Sequence, residues 1–138
     1  MTNARPIRVM IVDDHPIVRD GLKNMLLAFD DLELAGEAGN GNEAVVVCQQ
    51  QRPDVILMDM VMPRMNGIAA TRVLLEQSPQ LKIIMLTGFV EDSVVQNALE
   101  AGANGYLLKN ASINTLADAI RSAYACLLYT SDAADERS

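Results

Sequence analysis

The sequence predicts an α/β domain: a five-stranded parallel sheet, doubly wound, with helices on both faces. Two observations carry this. Five short apolar segments rich in Val, Ile, Leu and Met alternate with five segments whose apolar residues recur at helical spacing. The connections between them are short, as in repeated strand–helix units joined by right-handed crossovers. At 138 residues, half of them hydrophobic, the chain is one domain's worth with enough apolar surface for a sizeable core.

Ile7 to Val12 reads as the first strand, closed by Asp13-Asp14-His15-Pro16. Pro16 suits the first turn of a helix, where its missing N–H costs nothing. Val18, Leu22, Met25, Leu26 and Phe29 then form a helical stripe. Leu32 to Ala38 is a second strand, and Gly39-Asn40-Gly41 a turn. Glu43 to Gln51 is a second helix with Ala44, Val47 and Cys48 inward, stopped by Pro53. Val55 to Met58 is an unbroken apolar run, the signature of a strand buried on both faces. It ends in Asp59. Asn66-Gly67 opens a third helix carrying Ile68, Val73 and Leu74, which ends near Ser78-Pro79.

Lys82 to Thr87 is the fourth strand. Glu91-Asp92 place negative charge at the start of a fourth helix, where the macrodipole favours it. That helix bears Val94, Val95, Ala98 and Leu99 and stops at Gly102. Gly105 to Leu108 is the fifth strand, ending in Lys109. Ser112 caps a fifth helix with Ile113, Leu116, Ile120 and Ala123 inward.

Composition excludes several classes. A net charge of −7 argues against a free-standing nucleic-acid binder. Cys48 and Cys126 have no CxxC partners and offer no disulfide framework, which fits a reducing, cytoplasmic compartment. No signal peptide and no apolar run of membrane-spanning length is apparent, so no membrane partner is expected. Gly36, Gly39 and Gly41 are in the order GxxGxG rather than GxGxxG and follow the second strand, so they read as turn glycines.

In a parallel sheet the strand ends share one edge, and chemistry gathers there. The residues brought together are Asp13 and Asp14, Asp59, Thr87 and Lys109. A lone aspartate at a strand end is ordinarily a cap. Three carboxylates in one pocket repel, and Mg²⁺, which takes oxygen ligands and retains waters, is the remedy. With a hydroxyl and a lysine added, the set is equipped for phosphoryl transfer, Asp59 being the nucleophile. Oxygen ligands argue against a soft-metal site in the Met-rich stretch around Asp59, which reads as packing. His15 is a candidate phosphate carrier, but a solvated loop residue before Pro16 is the preferred reading.

These pieces in this order resemble the receiver domain of two-component response regulators, with the flavodoxin-like fold and strand order 2-1-3-4-5. The matched residues are Asp13-Asp14, Asp59 followed by Met62-Pro63 and Gly67, Thr87, and Gly105-Tyr106-Leu107-Leu108-Lys109. Val-Asp-Asp-His-Pro and Gly-Tyr-Leu-Leu-Lys are most similar to the NarL/FixJ group. The resemblance implies that Asp59 accepts a phosphoryl group from a partner histidine kinase. It implies Asp14, Asp59 and the Val61 backbone carbonyl as Mg²⁺ ligands, with Asp13 acting through metal-bound water. Thr87 and Tyr106 become a switch pair. Pairing into a homodimer through the first or fifth helix, or through the fourth helix and fifth strand, is a further implication. Val61 and Phe89 offer no side chain to position a hydrolytic water, so slow loss of phosphate is expected.

Other readings are a stand-alone receiver acting by protein–protein interaction, a haloacid-dehalogenase-like phosphatase and a flavodoxin-like mononucleotide-binding protein. The phosphatase wants an Asp two residues after the nucleophile, where Val61 stands. The mononucleotide carrier wants a hydroxyl- and glycine-rich first loop, where Asp13-Asp14-His15-Pro16 stands. After Ala125 the helical stripe fades, and Cys126 to Glu136 resembles translated transposase-type sequencing adapter. Residues 1–125 are therefore expected to be the receiver domain and residues 126–138 a non-native tail. The tail holds three acids and one base, so residues 1–125 carry −5. NarL/FixJ-like regulators continue into a helix-turn-helix domain that binds DNA, and no such domain lies in this sequence.

Overall fold

The computed structural model describes residues 5–61, 66–88 and 92–125. Met62-Pro63, Phe89, Glu91 and Cys126 to Ser138 lie outside the described residues, as do the side chains of Asp92 and Val94. The elements run β1 (Ile7–Val12), α1 (Pro16–Leu27), β2 (Leu32–Ala38), α2 (Gly41–Gln51), β3 (Val55–Asp59), α3 (Gly67–Gln77), β4 (Lys82–Thr87), α4 (Asp92–Glu100), β5 (Gly105–Leu108) and α5 (Ile113–Tyr124). All strand pairs are parallel and the order is β2-β1-β3-β4-β5, as the sequence predicts.

The period-two alternation of the strands divides the core into two layers. Val9, Ile11, Val55, Leu57, Ile84 and Leu86 face the α1–α5 side, with Leu22, Leu26, Leu116 and Ile120. Met10, Val12, Ile56, Met58, Ile83 and Met85 face the opposite side, with Ala44, Cys48, Ala70, Leu74 and Ala98. Every residue of β3 is buried, which is why its sequence is an uninterrupted apolar run rather than an alternating one.

Local chemistry sets most element ends. Asn40 accepts from the Glu43 amide, Asn66 from that of Ala69 and Ser112 from that of Thr115, each satisfying an orphan donor of its helix. Asn40 thus makes Gly41, not Glu43, the first residue of α2, and the predicted turn is shorter than expected. Gly36 is not a turn residue. It lies inside β2 at a register shift opposite Val9 and Met10, and a Cβ there would stand 2.8 Å from Val47 Cγ1. Gly102, at φ +112°, closes α4 where a Cβ would also collide with Leu75 Cδ1.

The end of α2 departs from this pattern. Arg52 takes the left-handed cap position at φ 50°, which ordinarily favours glycine. Its carbonyl accepts from Arg8 Nη1 at 3.1 Å, and the same nitrogen donates to the Gln51 carbonyl. Since these bonds use the Arg52 backbone only, Arg52→Gly keeps them and removes the left-handed penalty. It is expected to raise stability by about 0.5–1 kcal/mol after the unfolded-state entropy of glycine is subtracted. Urea unfolding checks this, and an unchanged or lower midpoint would contradict it.

Candidate functional site

The carboxyl ends of β1 and β3, adjacent in the sheet, deliver the acids. Asp13 follows β1 directly, its amide bonded to the Ala38 carbonyl of β2 at 3.1 Å. Asp59 is the last residue of β3, in register with Leu86, and the next amide, Met60, bonds to the Leu86 carbonyl at 3.0 Å. Both side chains are fully buried, whereas Asp14 is partly exposed. Thr87 ends β4 and is 5% exposed. Its carbonyl accepts from the Lys109 amide at 2.8 Å, which fixes where the lysine leaves β5.

Lys109 Nζ reaches back to Asp59 Oδ1 at 3.0 Å and Asp13 Oδ2 at 3.5 Å. Asp59 Oδ1 also accepts from the Val61 amide at 3.2 Å. Burial pushes the Asp59 carboxyl above the usual carboxylate range; the Asp13 charge adds to this, while Lys109 and the Val61 amide oppose it. Burial pulls Lys109 downward, but hydrogen bonding and attraction to Asp59 and Asp13 outweigh it, so its ammonium is held charged.

The acids are not fully satisfied. Asp13 Oδ2, Asp14 Oδ1 and Asp59 Oδ2 are buried and lack a hydrogen-bond partner. Asp13 Oδ2 has only the long approach of Lys109, and Asp14 Oδ1 lies 3.1 Å from His15 Nδ1 without hydrogen-bond geometry. Ligand atoms of Asp13, Asp14, His15 and Asp59 all fall within 4.8 Å of one another. One orphaned oxygen from each of three convergent carboxylates is what a hard divalent cation requires, so the residues present fit Mg²⁺.

The sequence brings Asp13, Asp14, Asp59, Thr87 and Lys109 to one sheet edge, and the structure places them there. Val61, two residues past Asp59, is 74% exposed. Tyr106 is 3% exposed and packs with Met58 and Met85 in the layer that holds α2, α3 and α4. Cys48 and the described methionines beside Asp59, Met58 and Met60, are core residues, as expected. His15 lies in an exposed loop before Pro16, as expected, and also approaches the acids. Its side chain is 60% exposed, but Nδ1 lies 2.9 Å from Asp13 Oδ1. Its pKa is raised by that hydrogen bond and by the charges of Asp14 and Asp13.

Two supporting residues had weaker signals. Arg19 Nη1 donates to the Asp13 carbonyl at 2.5 Å and Nε to Glu37 at 3.0 Å, joining the loop after β1 to the end of β2. Its clue is a basic residue near the start of a helix with no acid in its first turn, where the macrodipole disfavours it. Gly67, in sequence a helix opener and part of the receiver resemblance, has a further structural role. A Cβ there would run into the Asp59 carbonyl and come within 2.9 Å of Met60 Cα, so α3 begins directly against the backbone of the buried acid.

A doubly wound sheet with three acids, a hydroxyl and a lysine at its carboxyl edge defines a signal-receiver module, a switch rather than a turnover enzyme. The chain belongs to the response regulator receiver domain family, whose family model matches residues 9–121. It is 42% identical over 118 residues to the response regulator protein VraR of Staphylococcus epidermidis, covering 86% of this chain and 56% of that one. A LuxR-family two-component response regulator from Aurantimonas superposes with a TM-score of 0.87 at 30% identity, covering 96% and 98% of the two chains. The receiver domain of the putative regulator NarL from Mycobacterium tuberculosis gives 0.78 at 28% identity, covering 86% and 98%. These relatives agree with the NarL/FixJ-like character of the motifs. The chain spans about half the length of the curated relatives it matches. No helix among the described residues is long and apolar enough to cross a membrane.

Two outcomes are expected. Gly67→Ala forces α3 away from Asp59 and costs about 1–3 kcal/mol, measurable by chemical denaturation. Asp59→Asn removes a destabilising charge and raises the melting temperature at pH 7 in the absence of divalent cations. Because the folded-state pKa of Asp59 lies above its ordinary 3.8, the folded protein binds more protons between the two values. Wild type therefore recovers stability as pH falls through the folded pKa, and the advantage of the variant shrinks. Melting curves from pH 8 to pH 4 test this.

Proposed function

We propose that this chain is the phosphoacceptor domain of a transcriptional response regulator and that Asp59 receives a phosphoryl group from the phosphohistidine of a partner histidine kinase. The observation that carries the reading is the buried Asp59 carboxylate with one oxygen held by Lys109 and the other without a partner. A carboxylate oxygen of Asp59 attacks phosphorus as the new P–O bond forms and the P–N bond to the kinase imidazole breaks. The departing imidazole keeps the electron pair. Lys109 holds Oδ1 and stays charged beside the phosphoryl oxygens, and the Thr87 hydroxyl donates to one of them. Asp13, Asp14, Asp59 and the Val61 carbonyl would hold Mg²⁺, which when bound neutralises charge on the phosphoryl oxygens. Drawing Thr87 toward the phosphoryl group favours the inward position of Tyr106, turning a local charge into a change of surface.

Output follows from the surface so altered, as phosphorylation-dependent pairing of two copies and, in the intact protein, as DNA binding by a helix-turn-helix domain beyond this chain. Residues 1–125 are the receiver in this reading, and residues 126–138 are foreign to it. In this reading the domain works in the cytoplasm with its kinase.

Beryllofluoride binding followed by fluorine NMR tests the proposal. Wild type is expected to give a Mg²⁺-dependent bound signal, and Asp59→Asn none. Lys109→Ala is expected to remain folded by circular dichroism and to lose on the order of 10²-fold in phosphorylation rate, as for removal of one preorganised charge donor. Undiminished phosphate incorporation in Asp59→Asn would refute the assignment. Absence of binding to folded wild type would favour a mononucleotide ligand.

A further inference from the structure

His15 occupies the N-cap of α1 and makes no side-chain cap hydrogen bond. The other N-caps described, Asn40, Asn66 and Ser112, all turn their side chains onto their own helices. Leaving a cap unfilled forgoes the stabilisation that a side-chain acceptor gives an orphan donor of the first turn. The imidazole is directed instead at the acid pocket. Its Nδ1 stands 2.9 Å from Asp13 Oδ1 and 3.1 Å from Asp14 Oδ1. The backbone also pins it there, because the His15 amide donates to Asp13 Oδ1 at 2.8 Å.

Those spacings have a second meaning. Ligands bound about 2.1 Å from an octahedral cation lie about 3.0 Å apart when adjacent. Nδ1 therefore already sits at a ligand's distance from two carboxylates, in a cluster where the buried Asp13 Oδ2 and Asp59 Oδ2 lack hydrogen-bond partners. An imidazole nitrogen adds little for Mg²⁺, which prefers oxygen and holds its waters. It adds much more for first-row transition dications.

We propose that His15, through Nδ1, is a direct ligand of the cation held by Asp13, Asp14 and Asp59, and that it biases this site toward nitrogen-accepting transition dications over Mg²⁺. The inference rests on the acid cluster being the cation site of the proposed phosphoacceptor. It goes beyond that reading in assigning a nitrogen donor and a metal preference.

The chain contains one histidine, so ¹⁵N-histidine labelling reports on this residue alone. Pulsed EPR of bound Mn²⁺ is expected to show a directly coordinated imidazole nitrogen whose modulation changes on ¹⁵N-histidine labelling. In titration calorimetry, His15→Asn should weaken Co²⁺ binding by at least about tenfold, the low end of what losing even an outer-sphere partner costs. Mg²⁺ affinity should stay within about twofold, a water replacing the nitrogen. The wild-type EPR measurement needs no substitution, so it stands even if His15→Asn folds poorly. Bound Mn²⁺ without histidine nitrogen coupling, or an unchanged ratio of Co²⁺ to Mg²⁺ affinity in a folded variant, would overturn the role of His15 and leave the acid site intact. Folded wild type that binds none of the three cations would overturn the cation site itself.

Discussion

The chemistry open to this domain depends on holding the Asp59 carboxylate in a place that disfavours charge. Removing a carboxylate from water is tolerated only when hydrogen bonds or opposite charge replace the lost solvent. Here the replacement is partial. Lys109 and the Val61 amide both serve Oδ1, leaving Oδ2 without a partner, while Asp13 adds repulsion. A static core would gain stability by removing such a group. Its retention makes sense if the deficit is filled by something that comes and goes, a cation and a phosphoryl group.

The sheet order explains why the deficit forms at this edge. With β1 between β2 and β3, the chain reverses its direction of winding beside β1. The connections leaving β1 and β3 diverge to opposite faces, opening a crevice between their carboxyl ends. Asp13 and Asp14 flank one side of it and Asp59 the other. The surroundings hold this geometry at backbone level: Arg19 grips the Asp13 carbonyl, the β3–β4 ladder continues through Met60, and Gly67 lets α3 start against Asp59. The acids are thus positioned by main-chain constraints, so a change in charge is met mainly by side chains.

Much of this was legible in the sequence, for identifiable reasons. Buried parallel strands must be continuous apolar runs, so Val55 to Met58 and Lys82 to Thr87 announce themselves. Asn66 and Ser112 are caps by residue type. Strand ends converge by topology, so Asp13, Asp14, Asp59, Thr87 and Lys109 could be grouped before any distance was known. What escaped depends on close approach or rotamer. The register shift of β2 at Gly36, where a Cβ would meet Val47, leaves no mark in the apolar pattern. The contact of Gly67 with Asp59 is set by where α3 docks. The direction of the His15 ring is decided by two carboxylates and leaves no mark in periodicity or composition.

The same register offers a short route from charge to surface. Thr87 and Met85 lie on one face of β4, and Tyr106 pairs with Met85 on the neighbouring strand, so Thr87 and Tyr106 share a face on adjacent strands. Lys109 leaves β5 one residue after Leu108, the partner of Thr87, and is tied to the Thr87 carbonyl. A phosphoryl group on Asp59 would therefore meet two groups, the Thr87 hydroxyl and the Lys109 ammonium, whose backbones are already bonded to each other. Moving the hydroxyl changes the space available to an aromatic ring packed in a close-fitting layer. Such layers respond by exchanging one packing for another rather than by yielding gradually. That supports reading the domain as a two-state element biased by charge, with the closest coupling running through β4 and β5 rather than through the α1 side of the sheet.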